Sequence, residues 1–333
     1  MGENAGVVGS VGGTPLVELR RVVPHDHARV LVKVESHNPT GSMKDRMALS
    51  VIDRAAASGR LLPDGMVVEY TGGSTGTSLA FVCAARGYSI SLLTSDAFSR
   101  EKRDQMRALG ANVVEIESRG GRITKQLIQA MMAKAAEISE VPGAYFADQF
   151  NNLDVAAGYV PLAEEAWDQS GGQIDAFVQA VGTGQCIAGV AKAIRAKNPD
   201  VEIVAVEPAE SPVLSGGSPG SHGIEGIGPG FVPPLWDPHL AHGIIDVSTA
   251  DAMDMSRRLA QEEALFAGTS SGANVIAALQ IAERLGPGHT VVTLICDSGL
   301  KYLSTDLYSG MQASAGDDAV DVRVIQKGLG PGV

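Results

Sequence analysis

The stretch LVKVESHNPTGSMKDR, residues 31–46, decides the fold. Its opening LVKVES reads as a strand, Asn38, Pro39 and Gly41 then break the pattern, and a helix-like segment begins near Asp45. A strand that turns directly into a helix is the repeating unit of a parallel α/β sheet. Lys44 lies at the junction, behind turn residues and small side chains. A lysine serving solubility fits anywhere on an exposed helix face, so one held at the end of a strand calls for a chemical reason. The plain reading is a surface lysine paired with Asp45 or Glu35.

The same unit recurs along the chain. ARVLVKVES (28–36), MVVEY (66–70), YSISLLTS (88–95) and ANVVEIES (111–118) read as strands, interleaved with helices near 45–58, 77–86, 100–109 and 124–138. DAFVQAVG (175–182), VEIVAVEP (201–208) and HTVVTLICDS (289–298) continue it. Apolar runs alternating with helical segments predict mostly parallel sheets covered by helices. The polar interval ADQFNNLD, 147–154, is where two α/β domains divide, with ligand space between them. The Gly-, Pro- and Ser-rich run 211–234 predicts a long functional loop.

Composition narrows the function. A chain of 333 residues, 44% hydrophobic, can build two domains. A net charge of −12 gives no basic footprint for nucleic acid or an anionic membrane, and small-molecule chemistry is the better expectation. No apolar run reaches the roughly 18 residues of a membrane span and no secretory signal opens the chain, so a cytoplasmic protein is expected. Cys83, Cys186 and Cys296 are widely spaced and odd in number, which suits neither a disulfide framework nor a metal motif. HDH (25–27) and HLAH (239–242) lack further ligands, and no metal is expected.

Two glycine-rich loops follow strands and open helices: EYTGGSTGTSLA (69–80) and VQAVGTGQCIAGV (178–190). Either can hold a carboxylate or phosphate on helix N-terminal amides. Neither ends in the Lys-Ser/Thr of a P-loop nor completes dinucleotide spacing, which removes ATP and NAD. FAGTSSGANV (266–275) reads as an ordinary helix cap. A placed lysine beside a phosphate-type loop without a nucleotide motif suggests imine chemistry with pyridoxal phosphate.

GGTPLVEL (12–19), KVESHNPTGSMKDR (33–46), TGGSTGTSLA (71–80), ADQFNN (147–152), VGTGQCIAG (181–189), GIGPGF (226–231), GTSSGAN (268–274) and DSGLKYLST (297–305) occur in the order of one family. Together they make the sequence resemble the cysteine synthase (O-acetylserine sulfhydrylase) and cystathionine β-synthase family of fold-type II pyridoxal phosphate enzymes. The resemblance implies two three-layer α/β domains: a smaller one over 40–152, and a larger cofactor-binding one from 1–39 with 153–312, followed by a tail at 313–333. It implies that Lys44 holds pyridoxal 5′-phosphate as an imine, and that Gly182, Thr183, Gly184, Gln185 and Cys186 bind its phosphate. Relatives usually read GTGGT there, so Gln185 and Cys186 depart from the pattern.

By the same resemblance Ser74 stands where an asparagine contacts the cofactor ring oxygen, and Ser298 faces the pyridine nitrogen, with Asp297 beside it. Thr71, Gly72, Gly73, Thr75 and Gln149 take the substrate carboxylate, and Gly226 with Gly228 shapes the mouth. Asn38 and Asp45 are structural. The implied reaction is β-replacement on O-acetylserine or O-phosphoserine by sulfide or a related nucleophile, in a homodimer. Alternatives are β-elimination, and a non-catalytic protein binding a small anion or a partner.

Overall fold

The computed structural model describes residues 6–121 and 123–309; the tail expected at 313–333 lies outside them. In chain order the strands are β1 (Leu16–Glu18), β2 (Arg29–Val34), β3 (Met66–Tyr70), β4 (Ser89–Ser95), β5 (Asn112–Ile116), β6 (Ala144–Phe146), β7 (Ala176–Ala180), β8 (Glu202–Pro208), β9 (Gly243–Val247) and β10 (Thr290–Ile295). The helices are α1 (Lys44–Ala57), α2 (Ser74–Arg86), α3 (Arg100–Ala108), α4 (Lys125–Ser139), α5 (Asp154–Ala157), α6 (Val160–Gln169), α7 (Gln185–Arg195), α8 (Thr249–Glu262) and α9 (Thr269–Leu285). One sheet has the order β1-β2-β10-β7-β8-β9 and the other β5-β4-β3-β6. Every pairing is parallel except that of the short edge strand β1 with β2.

Burial explains why the strands read as continuous apolar runs. Along β10, Val292 and Leu294 pack into one core while Val291 and Ile295 pack into another on the opposite face. In β8, Ile203 and Ala205 take the first core, Val204 and Val206 the second. The smaller sheet does the same, with Val67 and Leu92 facing that first core and Val68 and Leu93 a third. A core common to both sheets thus joins them, and helices cover the remaining faces, as the alternation predicts. Burying each such Val, Leu or Ile contributes about 1.5–3 kcal/mol before conformational entropy is charged against it.

Short elements escaped the sequence reading. β1, β6 and β9 have only three to five residues each, half-buried in part, too short for a period to show. α2 starts at Ser74, three residues earlier than the expected 77, because Thr71 Oγ1 accepts the N–H groups of Gly73 and Gly76 and ties off the turn at once. No helix or strand interrupts residues 209–242, so the long loop is present as expected.

Candidate active site

In a parallel sheet all the strands point the same way, so the loops leaving their carboxyl ends collect on one side. The loops after β2, β3, β7 and β10 therefore meet, although their residues come from 35–43, 71–73, 181–184 and 296–298. They line a cleft between the two sheets.

Lys44, the first residue of α1, lines this cleft and is half-buried. Its ammonium makes no hydrogen bond or ion pair with any described residue. The partners a surface lysine would have used are engaged elsewhere: Asp45 accepts from the Thr40 amide (2.7 Å) and hydroxyl (2.6 Å), and Glu35 binds Arg46 at 2.6 Å. Burial pushes the Asp45 carboxyl above the usual range, against the pull of its hydrogen bonds from Ser78 and Thr40. Behind the loop, Asn38 accepts from Gly12 N and donates to Glu35, and Lys33 and Arg46 both reach Glu165. Burial alone would raise Glu165, but the hydrogen bonds from Arg46 and Lys33 hold it down to about 2. This network holds the loop from the rear and leaves Lys44 free at the front.

Two helix N-termini face the lysine. At the first, Thr71, Gly72, Gly73, Ser74 and Thr75 line the cleft, joined by Gln149. Gln149 is held from three directions: its Nε2 donates to Tyr70 O (3.1 Å), its Oε1 accepts from Thr75 Oγ1 (2.8 Å), and its N–H donates to Glu69 (3.0 Å). Burial drives the Glu69 carboxyl up to about 8, although the amides of Gln149 and Tyr70 pull it down. Gly73 has φ 137° at the N-cap, and a Cβ there would fall 2.2 Å from Lys102 Cδ, so both conformation and space require glycine.

At the second, Gly182, Thr183, Gly184 and Cys186 line the cleft at the start of α7, which has no side-chain cap. Its first amides are therefore available to an anion. The loop 222–229 lies against them: a Cβ on Gly182 would meet Gly226 O at 2.6 Å, and Gly228 N bonds Val181 O. Gly226 itself lines the cleft.

Two of the expected cofactor contacts are placed differently. Ser298 does not line the cleft; its Oγ accepts from Leu300 N and caps the 3-10 turn Gly299–Tyr302. The segment after β10 stays extended through the bridges Ser42↔Asp297 and Ala267↔Ser298, and successive side chains of extended backbone point oppositely, so Asp297 turns in and Ser298 out. Gln185 likewise turns away, its Nε2 donating to Asn152 O (2.8 Å) and Gln149 O (3.4 Å).

The fold brings in residues that sequence reading missed. Ser270, at the start of α9, lines the cleft from the segment read as a plain cap. Asp297 Oδ2 accepts from Ser74 Oγ (3.1 Å) and Tyr302 Oη (2.8 Å), linking the two sheets' loops. Lys102 of α3 pairs with Glu225 of the long loop at 2.6 Å and lies 4.1 Å from the Tyr302 ring centroid. Only the Gly-rich setting of Glu225 hinted at this; the spacing of Lys102 on α3 carries no such signal. Among the described residues no group of three or more His, Cys, Asp or Glu side chains can hold a metal ion.

The family model described as pyridoxal-phosphate dependent enzyme matches residues 7–297. The chain belongs to that family. Similarity to individual proteins is as extensive. A protein named cysteine synthase from Staphylococcus aureus strain Mu50 is 43% identical over 301 residues, spanning 90% of this chain and 95% of that one. The crystal structure of a cysteine synthase from Entamoeba histolytica superposes with a TM-score of 0.86 at 34% identity, covering 94% of this chain and 92% of that one. That of an O-ureido-L-serine synthase gives 0.85 at 38% identity, with 94% and 97% covered. The residues present suit pyridoxal phosphate: an amine without a partner among the described residues, hydroxyls at Ser74, Thr183 and Ser270, and an uncapped glycine-rich helix start for its phosphate.

Proposed function

We propose that the protein catalyses β-replacement on an O-activated L-serine, O-acetylserine in the first instance, with sulfide giving L-cysteine and acetate. The observation that carries this reading is the amine of Lys44, without a partner among the described residues, in a cleft that two glycine-rich helix N-termini also line. Bound pyridoxal phosphate supplies an aldehyde that captures amines and a conjugated ring that takes up the electron pair left when Cα loses its proton.

The protein's residues do the rest. Lys44 Nζ would hold the cofactor and, once released by the amino-acid substrate, would be the free amine that takes the Cα proton. Amides and hydroxyls of Thr71, Gly72, Gly73 and Thr75, with Gln149, hold the substrate carboxylate and so orient the Cα–H bond toward that amine. The backbone of Gly182–Cys186 takes the cofactor phosphate. Ser74 and Ser270, which line the cleft, would offer hydroxyls to the cofactor, and a neutral hydroxyl rather than a carboxylate as partner of its ring would favour elimination and addition at Cβ over transamination. After the leaving group departs and the nucleophile adds at Cβ, Lys44 returns the proton to Cα. Closure of the loop carrying Gly226 and Gly228 keeps water from the reactive centre.

Residues 40–152 act in this scheme as the smaller, substrate-carboxylate domain, and 1–39 with 153–312 as the larger, cofactor domain. A cytoplasmic homodimer completes the reading. Among the described residues no helix is long and apolar enough to cross a membrane. Purified protein given O-acetylserine and sulfide should form cysteine and lose a visible cofactor band on borohydride treatment, and Lys44→Ala should abolish cysteine formation. Pyruvate in place of cysteine, or full activity in Lys44→Ala, would overturn the proposal.

A further inference from the structure

Gln185 stands in the phosphate-type loop yet contributes no side chain to the cleft. It is buried, 3% exposed, and its amide donates to the carbonyls of Asn152 (2.8 Å) and Gln149 (3.4 Å). The segment it grips crosses from the end of β6 toward α5 and is knotted on itself. Asn152 Nδ2 donates to Ala147 O and to Tyr145 Oη, Asn152 N bonds Asp148 O, and Asp148 is held at φ 46°, a conformation few non-glycine residues adopt. From this knot Gln149 reaches Thr75 and Tyr70 at the other helix start. One side chain therefore fastens the anion cradle at α7 to the residue that braces the cradle at α2.

We infer that Gln185 is a positioning residue for the amino-acid substrate: it sets Gln149, and through it the carboxylate cradle, at a fixed distance from the phosphate cradle. It acts through Gln149 and touches neither ligand. The inference rests on the functional reading above. A neutral donor lost from the buried carbonyl of Gln149 and the part-buried one of Asn152 weakens the placement of Gln149, while the α7 amides remain where helix geometry puts them.

The test compares Gln185→Met, which keeps the length and apolar stem without the donor, and Gln185→Ala, each as holoenzyme. Both should retain the cofactor band and content, raise KM for O-acetylserine about tenfold, and change kcat less than threefold. A Met variant with unaltered KM would show that the residue only fills space and would overturn the inference. Loss of cofactor from both variants, with normal KM in the loaded fraction, would make Gln185 a phosphate residue and overturn it equally. Absence of a cofactor band in the unaltered protein would instead sink the functional reading, and this inference with it.

Discussion

Substituting Glu225 by Gln tests how the cleft is held together. The Lys102 ammonium is 2.6 Å from the Glu225 carboxylate, with side-chain exposures of 3% and 14%, so solvent screens the pair little. At an effective dielectric near 20 the attraction is about 6 kcal/mol, and desolvation of both groups offsets most of it. Removing one partner leaves the other's desolvation uncompensated, which costs about 3 kcal/mol. Glu225→Gln strands Lys102 beneath the Tyr302 ring, and Lys102→Met strands the carboxylate. The double variant strands neither, so its loss should be smaller than that of either single variant and far short of the roughly 6 kcal/mol that two independent losses would give. Urea unfolding of the four proteins measures the cycle, and 0.5 M NaCl should leave the coupling nearly unchanged. KM for the amino acid should rise in Glu225→Gln, because the long loop loses its hold on α3. If the single losses add to within about 0.5 kcal/mol, the pair contributes nothing by itself and the reasoning fails.

Three further outcomes are expected. Glu69 titrates near 8 in the folded chain against an ordinary value of 4.5, so the folded state binds the extra proton between them; its stabilising effect is complete below about 4.5 and is lost as pH rises to 8. Glu69→Gln should flatten the fall in urea midpoint across that window, and a wild-type-to-variant difference constant from pH 5 to 9 would contradict it. Asp297→Ala leaves the hydroxyls of Ser74 and Tyr302 without their acceptor and should lower stability by about 2–4 kcal/mol, with Asp297→Asn recovering more than half by retaining a carbonyl; equal losses in denaturant titration would refute the pairing. Burial pushes the thiols of Cys296 to about 11, Cys83 to about 12 and Cys186 well above its ordinary value, so iodoacetamide at pH 7.5 should leave the native protein unmodified and label all three in urea. Mass spectrometry showing a labelled native cysteine would count against that burial.

The sequence by itself determined the architecture and the lysine. Strands such as MVVEY and DAFVQAVG are buried on both faces, so their apolar character is written continuously, and each is followed by a turn and a helix, the order expected of covered, mostly parallel sheets. Lys44, Thr71–Thr75 and Gly182–Gly184 were legible because glycine and hydroxyl residues at a strand-to-helix turn are a local signal. Only the tertiary structure decided which side chains face inward. Whether Asp297 or Ser298 enters the cleft depends on the pairing of Asp297 with Ser42, a residue 255 positions away, and one step of register reverses the answer. Ser270 looked like a helix cap because the cap and the site share the same residue types. Lys102 and Glu225 lie 123 residues apart and meet across the gap between two sheets. Local patterns report what the nearest neighbours along the chain require; the direction of a side chain after its strand ends is set by partners that only folding brings near.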